Sequence, residues 1–209
     1  MRSKPNGRRP DNRRASIADE AARIMMERGV TDYRLAKAKA CERLGLSAGP
    51  LPSNEEVEAA LAARNRIFRG DSHHPHLRRL REAAVGVMRR LNVFHPRLVG
   101  PVLTGTATEH SAIDLHLYSD APEAVGAQLG ALGLEARAIQ FQHRWRRGEA
   151  ERVPGYRFYA EDFEYLAAVF PERRRAQAPL SRVDGRPMRR ASHREVARLL
   201  DDEEFLSAI

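Results

Sequence analysis

Three residues near the middle of the chain have the types and spacing that phosphate chemistry requires. A glycine lets the backbone approach a ligand closely, and a hydroxyl beside free backbone amides suits a phosphate. A carboxylate on an adjacent strand would reach a metal ion that bridges the phosphates. The segment therefore predicts phosphoryl or nucleotidyl transfer. The three residues are Gly105, Thr106 and Asp114.

Periodicity predicts the elements that must position these residues. Helical spacing predicts helices over residues 76–91 and 122–132. Further helices begin at capping boxes opened by Ser16, Ser53 and Ser192. Together the elements predict an α+β fold, with a mixed sheet of about four to five strands and flanking helices. Alternating apolar residues predict strands over residues 97–103, 113–118, 136–145, 156–159 and 163–170.

Composition divides the chain into four segments. Residues 1–14 are basic and polar, which predicts a disordered arm. Residues 15–71 predict a helical subdomain, and residues 72–190 predict the sheet domain. Residues 191–209 predict a C-terminal helix with an acidic tail.

The residues around Gly105 and Asp114 resemble the nucleotidyltransferase superfamily, which has a polymerase-beta-like fold and includes minimal members. That family shows Gly-Ser or Gly-Thr, a short spacer, Ser-Asp-hydrophobic-Asp-hydrophobic, and a third carboxylate on a later strand. The resemblance covers residues 76–170. It implies transfer of a nucleoside monophosphate from an NTP such as ATP to an acceptor, with two Mg²⁺ ions held by the paired acids.

One acid of the family's pair is missing from this sequence. Aligning Ser111 on the family's serine puts Ala112 in the place of the first acid. Shifting by two residues makes Asp114 the first acid and puts His116 in place of the second. Histidine is a poor ligand for Mg²⁺ but acceptable for Mn²⁺ or Zn²⁺. The resemblance therefore implies an altered metal site at Asp114 and His116.

The third acid that the resemblance implies is best supplied by Glu164, with Asp162 as the runner-up. Asp114 and Glu164 are thus the catalytic candidates. The resemblance assigns the triphosphate to Gly105, Thr106 and Ser111.

Three functions stay open at this point. If Asp114, His116 and Glu164 converge, the chain is an NTP-dependent transferase with a divalent metal, Mg or Mn. If they do not, it is a catalytically degenerate nucleotide- or RNA-binding protein on the same fold. The helices of residues 16–68 allow a third function, that of a DNA-binding regulator. If the segment is instead an ordinary turn and strand with an incidental Asp, neither of the first two functions applies.

Charge favours anionic partners without identifying one. The 209 residues include 36 Lys+Arg and 28 Asp+Glu, a net charge of +8, which suits nucleic acid, nucleotides or phosphates. Only Lys4, Lys37 and Lys39 are lysines, and a GC-rich bacterial genome explains this skew better than selection for phosphate contact. Arginines crowd residues 144–152 and 171–191, either to neutralise a phosphate or as solvated loops.

Cysteine content and hydropathy indicate the cellular compartment that we expect for this protein. Cys41 is the single cysteine, which excludes an intramolecular disulfide and a cysteine-based zinc site. The N-terminus lacks the apolar core of a secretory signal, and no stretch approaches the roughly 18 apolar residues of a membrane span. We expect a cytoplasmic protein with no membrane partner.

Overall fold

Helices come first along the chain, and a mixed sheet follows them. The computed structural model describes residues 10–46, 49–68, 70–146 and 149–207. Within these ranges the chain has the α+β fold that the sequence predicts, with a five-stranded mixed sheet and flanking helices. The chain divides into two units. The first is Met1–Gly70 with Thr108–His110, and the second is Asp71–Ala107 with Ser111–Ile209.

The first unit contains three helices around a small apolar core. They are α1 (Pro10–Arg28), α2 (Tyr33–Arg43) and α3 (Asn54–Phe68). Asp32 caps α2 by accepting a hydrogen bond from the Leu35 amide at 2.8 Å. The core of this unit includes the buried side chains of Ile17, Ala21, Ile24, Ala36, Ala40 and Val57.

The sequence predicts two capping boxes in this unit, and one of them is present. At Ser53 the box is present, because the Glu56 carboxylate accepts from the Ser53 amide and the Ser53 hydroxyl accepts from the Glu56 amide. The predicted start at Ser16 is wrong, since α1 begins at Pro10 and the Ser16 hydroxyl donates to the Asn12 carbonyl within the helix. Part of the predicted disordered arm is therefore helical, and residues 1–9 lie outside the described residues.

The second unit opens with α4 (Gly70–Arg90), β1 (Arg97–Val99), α5 (Gly100–Thr104) and β2 (Ile113–Tyr118). The predicted strand over residues 97–103 is wrong after Val99. Gly100 turns the chain with a φ of 69° and begins α5, and Pro101 follows it in the first turn of this helix. A proline is well suited to the first turn of a helix, where its missing N–H is not needed.

The unit continues with α6 (Pro122–Ala131), β3 (Ala136–Arg146), β4 (Glu149–Ala160), β5 (Phe163–Phe170) and α7 (His193–Ser207). The strand order is β1-β2-β5-β4-β3, and only β2 and β5 are parallel. β4 is longer than the predicted strand over residues 156–159. No helix in the described ranges combines the length and apolarity needed to cross a bilayer.

The two faces of the sheet differ in what covers them. Leu98, Ile113, Leu115, Tyr165 and Phe158 lie in one buried core with side chains of α4, α6 and α7. This core includes Val196 and Leu200, so the C-terminal helix belongs to the sheet domain rather than to a separate segment. The opposite face, here called the site face, carries Asp114, His116, Glu164, Leu166, Arg157, Tyr159 and Arg137.

Candidate functional site

One row of residues crosses the site face from strand to strand. Pairing places Val99 opposite Asp114, Asp114 opposite Leu166, Leu166 opposite Arg157, and Arg157 opposite Arg137. Neighbouring strands lie about 4.8 Å apart, so Asp114 and Arg157 are separated by about 10 Å at the backbone. The row therefore carries one carboxyl group and two guanidinium groups.

The Asp114 side chain lies in a tight environment beside the start of α5. Burial, opposed by the Arg182 guanidinium and reinforced by the Glu164 carboxylate, raises its pKa to about 7. A Cβ built on Gly100 would lie 2.5 Å from Asp114 Oδ2, so a side chain at position 100 has no room. The carboxyl is thus held against a glycine backbone and is partly protonated near neutral pH.

Glu164 lies on the site face one row away from Asp114, as the choice of third acid requires. Its carboxylate forms an ion pair with Arg157, and Oε1 lies 3.5 Å from the Tyr159 hydroxyl. The runner-up, Asp162, lies instead in the exposed β4–β5 turn with a φ of 67°. Glu164 is therefore the acid that accompanies Asp114, and an arginine already compensates its charge.

His116 shares the face of Asp114 but lies under aromatic rings. Its side chain is 2 % exposed, and its ring centroid is 5.4 Å from His143 and 4.7 Å from Phe170. Burial, followed by His143 and Arg190, holds its pKa well below the usual range. His116 is therefore a neutral residue of a small apolar cluster on this face.

The turn at Gly105 ends α5 and does not offer free amides to a phosphate. The Gly105 and Thr106 amides both donate to the Pro101 carbonyl, at 2.9 Å and 3.0 Å. The premise of the predicted phosphate turn is therefore wrong, because both amides are used to close the helix. Ser111 is half-buried in the connection between α5 and β2.

A buried arginine reinforces this end of α5. Arg81 of α4 is 5 % exposed, and its guanidinium donates to the carbonyls of Val102 and Leu103 at 3.0 Å and 3.2 Å. Carbonyl groups that end a helix carry partial negative charge, which attracts a cation and disfavours a phosphate. Arg81 therefore stabilises the backbone at the end of α5 and does not form a phosphate site there.

Several arginines of residues 171–191 contact the sheet. Arg182 donates to the Gln142 carbonyl at 3.0 Å. Arg190 donates to the Tyr118 hydroxyl at 2.6 Å, and the Arg174 guanidinium lies 4.2 Å from the centroid of the Trp145 ring. These residues attach the segment to β2 and β3, a role that neither prediction for the arginine-rich loop included.

The residues present do not fit the metal site that the resemblance implies. Ala112 has no ligand atom, Glu164 is paired with Arg157, and His116 is buried against His143 and Phe170. In the part of the chain that the structure describes, no three His, Cys, Asp or Glu side chains form a group able to hold a metal ion. We derive no catalytic step through a metal.

Sequence patterns alone assign no role to four residues on or beside this face: Gly100 of α5, which contacts Asp114, and Arg137, Arg157 and Tyr159 of the sheet. The Gly-Pro pair that interrupts the apolar run at residues 97–103 was a usable signal for Gly100. Alternation along β4 places Arg157 and Tyr159 on one face. The positions of Arg157 opposite Arg137 and of Tyr159 opposite Glu164 depend on strand register, which the sequence does not contain.

Comparison of the chain with protein-family models, with curated proteins and with solved structures gives no match.

Proposed function

We propose that this chain is a catalytically inactive nucleotide- or RNA-binding protein that holds phosphate groups on the site face without a metal ion. The observation that carries the proposal is the pairing of charges there. The charge of Glu164 is compensated by Arg157. The Arg182 guanidinium lowers the pKa of Asp114, against the larger effect of burial. Metal-dependent transfer needs clustered carboxylates that no arginine neutralises.

Electrostatics supports phosphate binding by this face. A bare pair of carboxylates repels a triphosphate unless a metal ion intervenes. Here a pKa of about 7 leaves Asp114 partly neutral, and guanidinium groups make strong, often bidentate hydrogen bonds to phosphate oxygens. Arginines thus supply the positive charge that metal ions supply in a transferase.

The order of elements gives independent support for a nucleotide ligand. A helix, a strand, the strand with Asp114, a helix and further strands follow one another as the nucleotidyltransferase resemblance implies. Glu164 opens the strand that pairs directly with the Asp114 strand. An active transferase is the second candidate, because both acids lie on one face of neighbouring strands.

The two candidates respond oppositely to substitution of Asp114. Binding of ATP and of inorganic triphosphate to the wild type, Asp114→Ala and Arg182→Ala is measured by calorimetry, with pyrophosphate release followed in parallel. The proposal predicts that Arg182→Ala weakens binding about 5-fold or more, that Asp114→Ala binds at least as well as the wild type, and that no pyrophosphate forms. Binding lost in Asp114→Ala together with pyrophosphate release would establish the transferase instead.

A further inference from the structure

Two arginines of like charge face each other on the site face. Arg137 of β3 lies directly opposite Arg157 of β4 in the antiparallel ladder. Side chains in such positions have Cβ atoms about 4.5–5.5 Å apart, and like charges there repel. Among the described residues, Glu164 pairs with Arg157 and no carboxylate pairs with Arg137. Two guanidinium groups with one carboxylate leave a positive charge that an anion would compensate.

An exposed aromatic ring lies beside this arginine pair. Tyr159 is 59 % exposed and follows Arg157 by two residues on β4, so both lie on the same face. Arg157 Nη2 is 3.4 Å from the Tyr159 hydroxyl. An open tyrosine face next to arginines is the arrangement on which an unpaired base stacks while its phosphate contacts a guanidinium.

The surface is also free of the elements that cover the rest of the sheet. The helices α4, α6 and α7 pack on the other face. The arginine-rich segment contacts the sheet near Gln142 and Trp145, while Arg137, Arg157 and Tyr159 are exposed. A ligand therefore reaches the pair and the ring without displacing a packed element.

We propose that Arg137, Arg157 and Tyr159 form a binding surface for a single strand of nucleic acid. The arginine pair holds a backbone phosphate, and the Tyr159 ring stacks on an adjacent base. A duplex fits less well, because its bases are already stacked on each other and cannot reach the ring. This inference rests on the proposed function and names its ligand.

The test is fluorescence anisotropy with labelled oligouridine, oligothymidine and a duplex of the same length. Arg137→Ala and Tyr159→Ala should each weaken single-strand binding about 5-fold or more, and Arg137→Ala should reduce the dependence of affinity on salt. Tyr159→Phe should bind like the wild type, since the ring is kept. Arg144→Ala is the matched control, because Arg144 is an exposed arginine on the opposite face of β3. Comparison of the two single strands separates RNA from DNA as the preferred source.

Three results would overturn the inference: wild-type protein that binds no single strand, a duplex bound as tightly as the single strands, or Arg137→Ala and Tyr159→Ala no weaker than Arg144→Ala. ATP binding by the same variants shows whether only the single-strand surface is wrong or the proposed function is wrong as well. ATP that binds in the absence of single-strand binding would leave the proposed function intact and remove the inference. Circular dichroism melting of each variant verifies that it is folded.

Discussion

At the scale of single residues, Asp114 and His143 have pKa shifts of opposite sense on one sheet face. Burial raises the pKa of Asp114 from 3.8 to about 7 and lowers that of His143 from 6.5 to about 4. The folded state therefore binds a proton at Asp114 more tightly than the unfolded chain does, and binds one at His143 less tightly. Asp114 contributes stability that is lost as pH rises from about 4 to 7, and His143 contributes stability that is lost as pH falls from 6.5 to about 4.

The raised pKa of Asp114 gives a prediction for Asp114→Asn. The amide cannot ionise, so the variant escapes the loss that the wild type suffers as pH rises. The free energy of unfolding of the variant, relative to the wild type, should increase between pH 4 and pH 7 and stay constant above that. Urea unfolding of both proteins across this range checks it. A difference that does not vary with pH would show that the Asp114 carboxyl is not shifted.

The contact between Gly100 and Asp114 gives a second prediction at this scale. Gly100 and Gly185 both have a positive φ, of 69° and 68°, but only Gly100 has Asp114 within 4 Å of an added Cβ. Gly185→Ala should therefore cost only the left-handed penalty of about 1–2 kcal/mol, and Gly100→Ala should cost more.

A double-mutant cycle isolates the steric part of the Gly100 effect. In an Asp114→Ala background the carboxylate is gone, so Gly100→Ala should fall to the cost of Gly185→Ala. Thermal or urea unfolding of the single and double variants measures this. An unchanged cost of Gly100→Ala in that background would contradict the close approach of α5 to Asp114.

At the scale of elements, the β4–β5 hairpin depends on an unfavourable turn. Glu161 and Asp162 are its two central residues, with φ of 52° and 67°, and Ala160 pairs with Phe163. Such two-residue turns favour Asn-Gly, because glycine adopts positive φ without strain. The pairing that brings Glu164 beside Arg157 therefore forms despite its turn residues.

We expect Asp162→Gly to stabilise the second unit by about 0.5–1 kcal/mol, the relief of left-handed strain less the entropy of glycine. The midpoint of urea unfolding, with the slope unchanged, measures the gain. Gly185→Ala, which moves a side chain into a left-handed position, should shift the midpoint in the opposite direction. A lower midpoint for Asp162→Gly would show that the Asp162 side chain contributes something that the described contacts do not include.

A second prediction at this scale concerns the attachment of the arginine-rich segment. Arg190 Nη1 donates to the Tyr118 hydroxyl and to the carbonyls of Arg175 and Gln177, at 2.6, 3.2 and 2.7 Å. Arg190→Ala should lower the free energy of unfolding by about 1–3 kcal/mol and make residues 175–189 sensitive to chymotrypsin. Arg189→Ala, an exposed neighbour, should do neither. Equal sensitivity of the two variants would mean that Arg190 does not fasten the segment.

Elements were more predictable from the sequence than the site. The helix after Pro122, the strand over residues 163–170 and the capping boxes at Ser53 and Ser192 were predictable, because periodicity and capping are local. The helix α5 after Val99 was not, since an apolar run fits a buried helix as well as a strand. The charge pairing of Glu164 with Arg157 depends on register between distant strands, which no local pattern specifies.

At the scale of the whole molecule, the net charge of +8 has two uses that sequence composition cannot separate. Arg81, Arg174 and Arg190 hold the fold by contacting carbonyls, a ring or a hydroxyl. Arg137 and Arg157 face outward on the site face. The second group is available for phosphate, so a positive net charge becomes evidence for an anionic ligand once it is located on a surface.

We infer that the site face holds phosphate through arginine and without a metal ion. The most direct test of this claim is the dissociation constant of ATP for the wild-type protein, measured by calorimetry once with excess EDTA and once with Mg²⁺. We predict binding in EDTA that is as tight as in Mg²⁺ or tighter, since uncomplexed ATP carries more negative charge to the arginines. Binding that appears only when Mg²⁺ is present would contradict the claim.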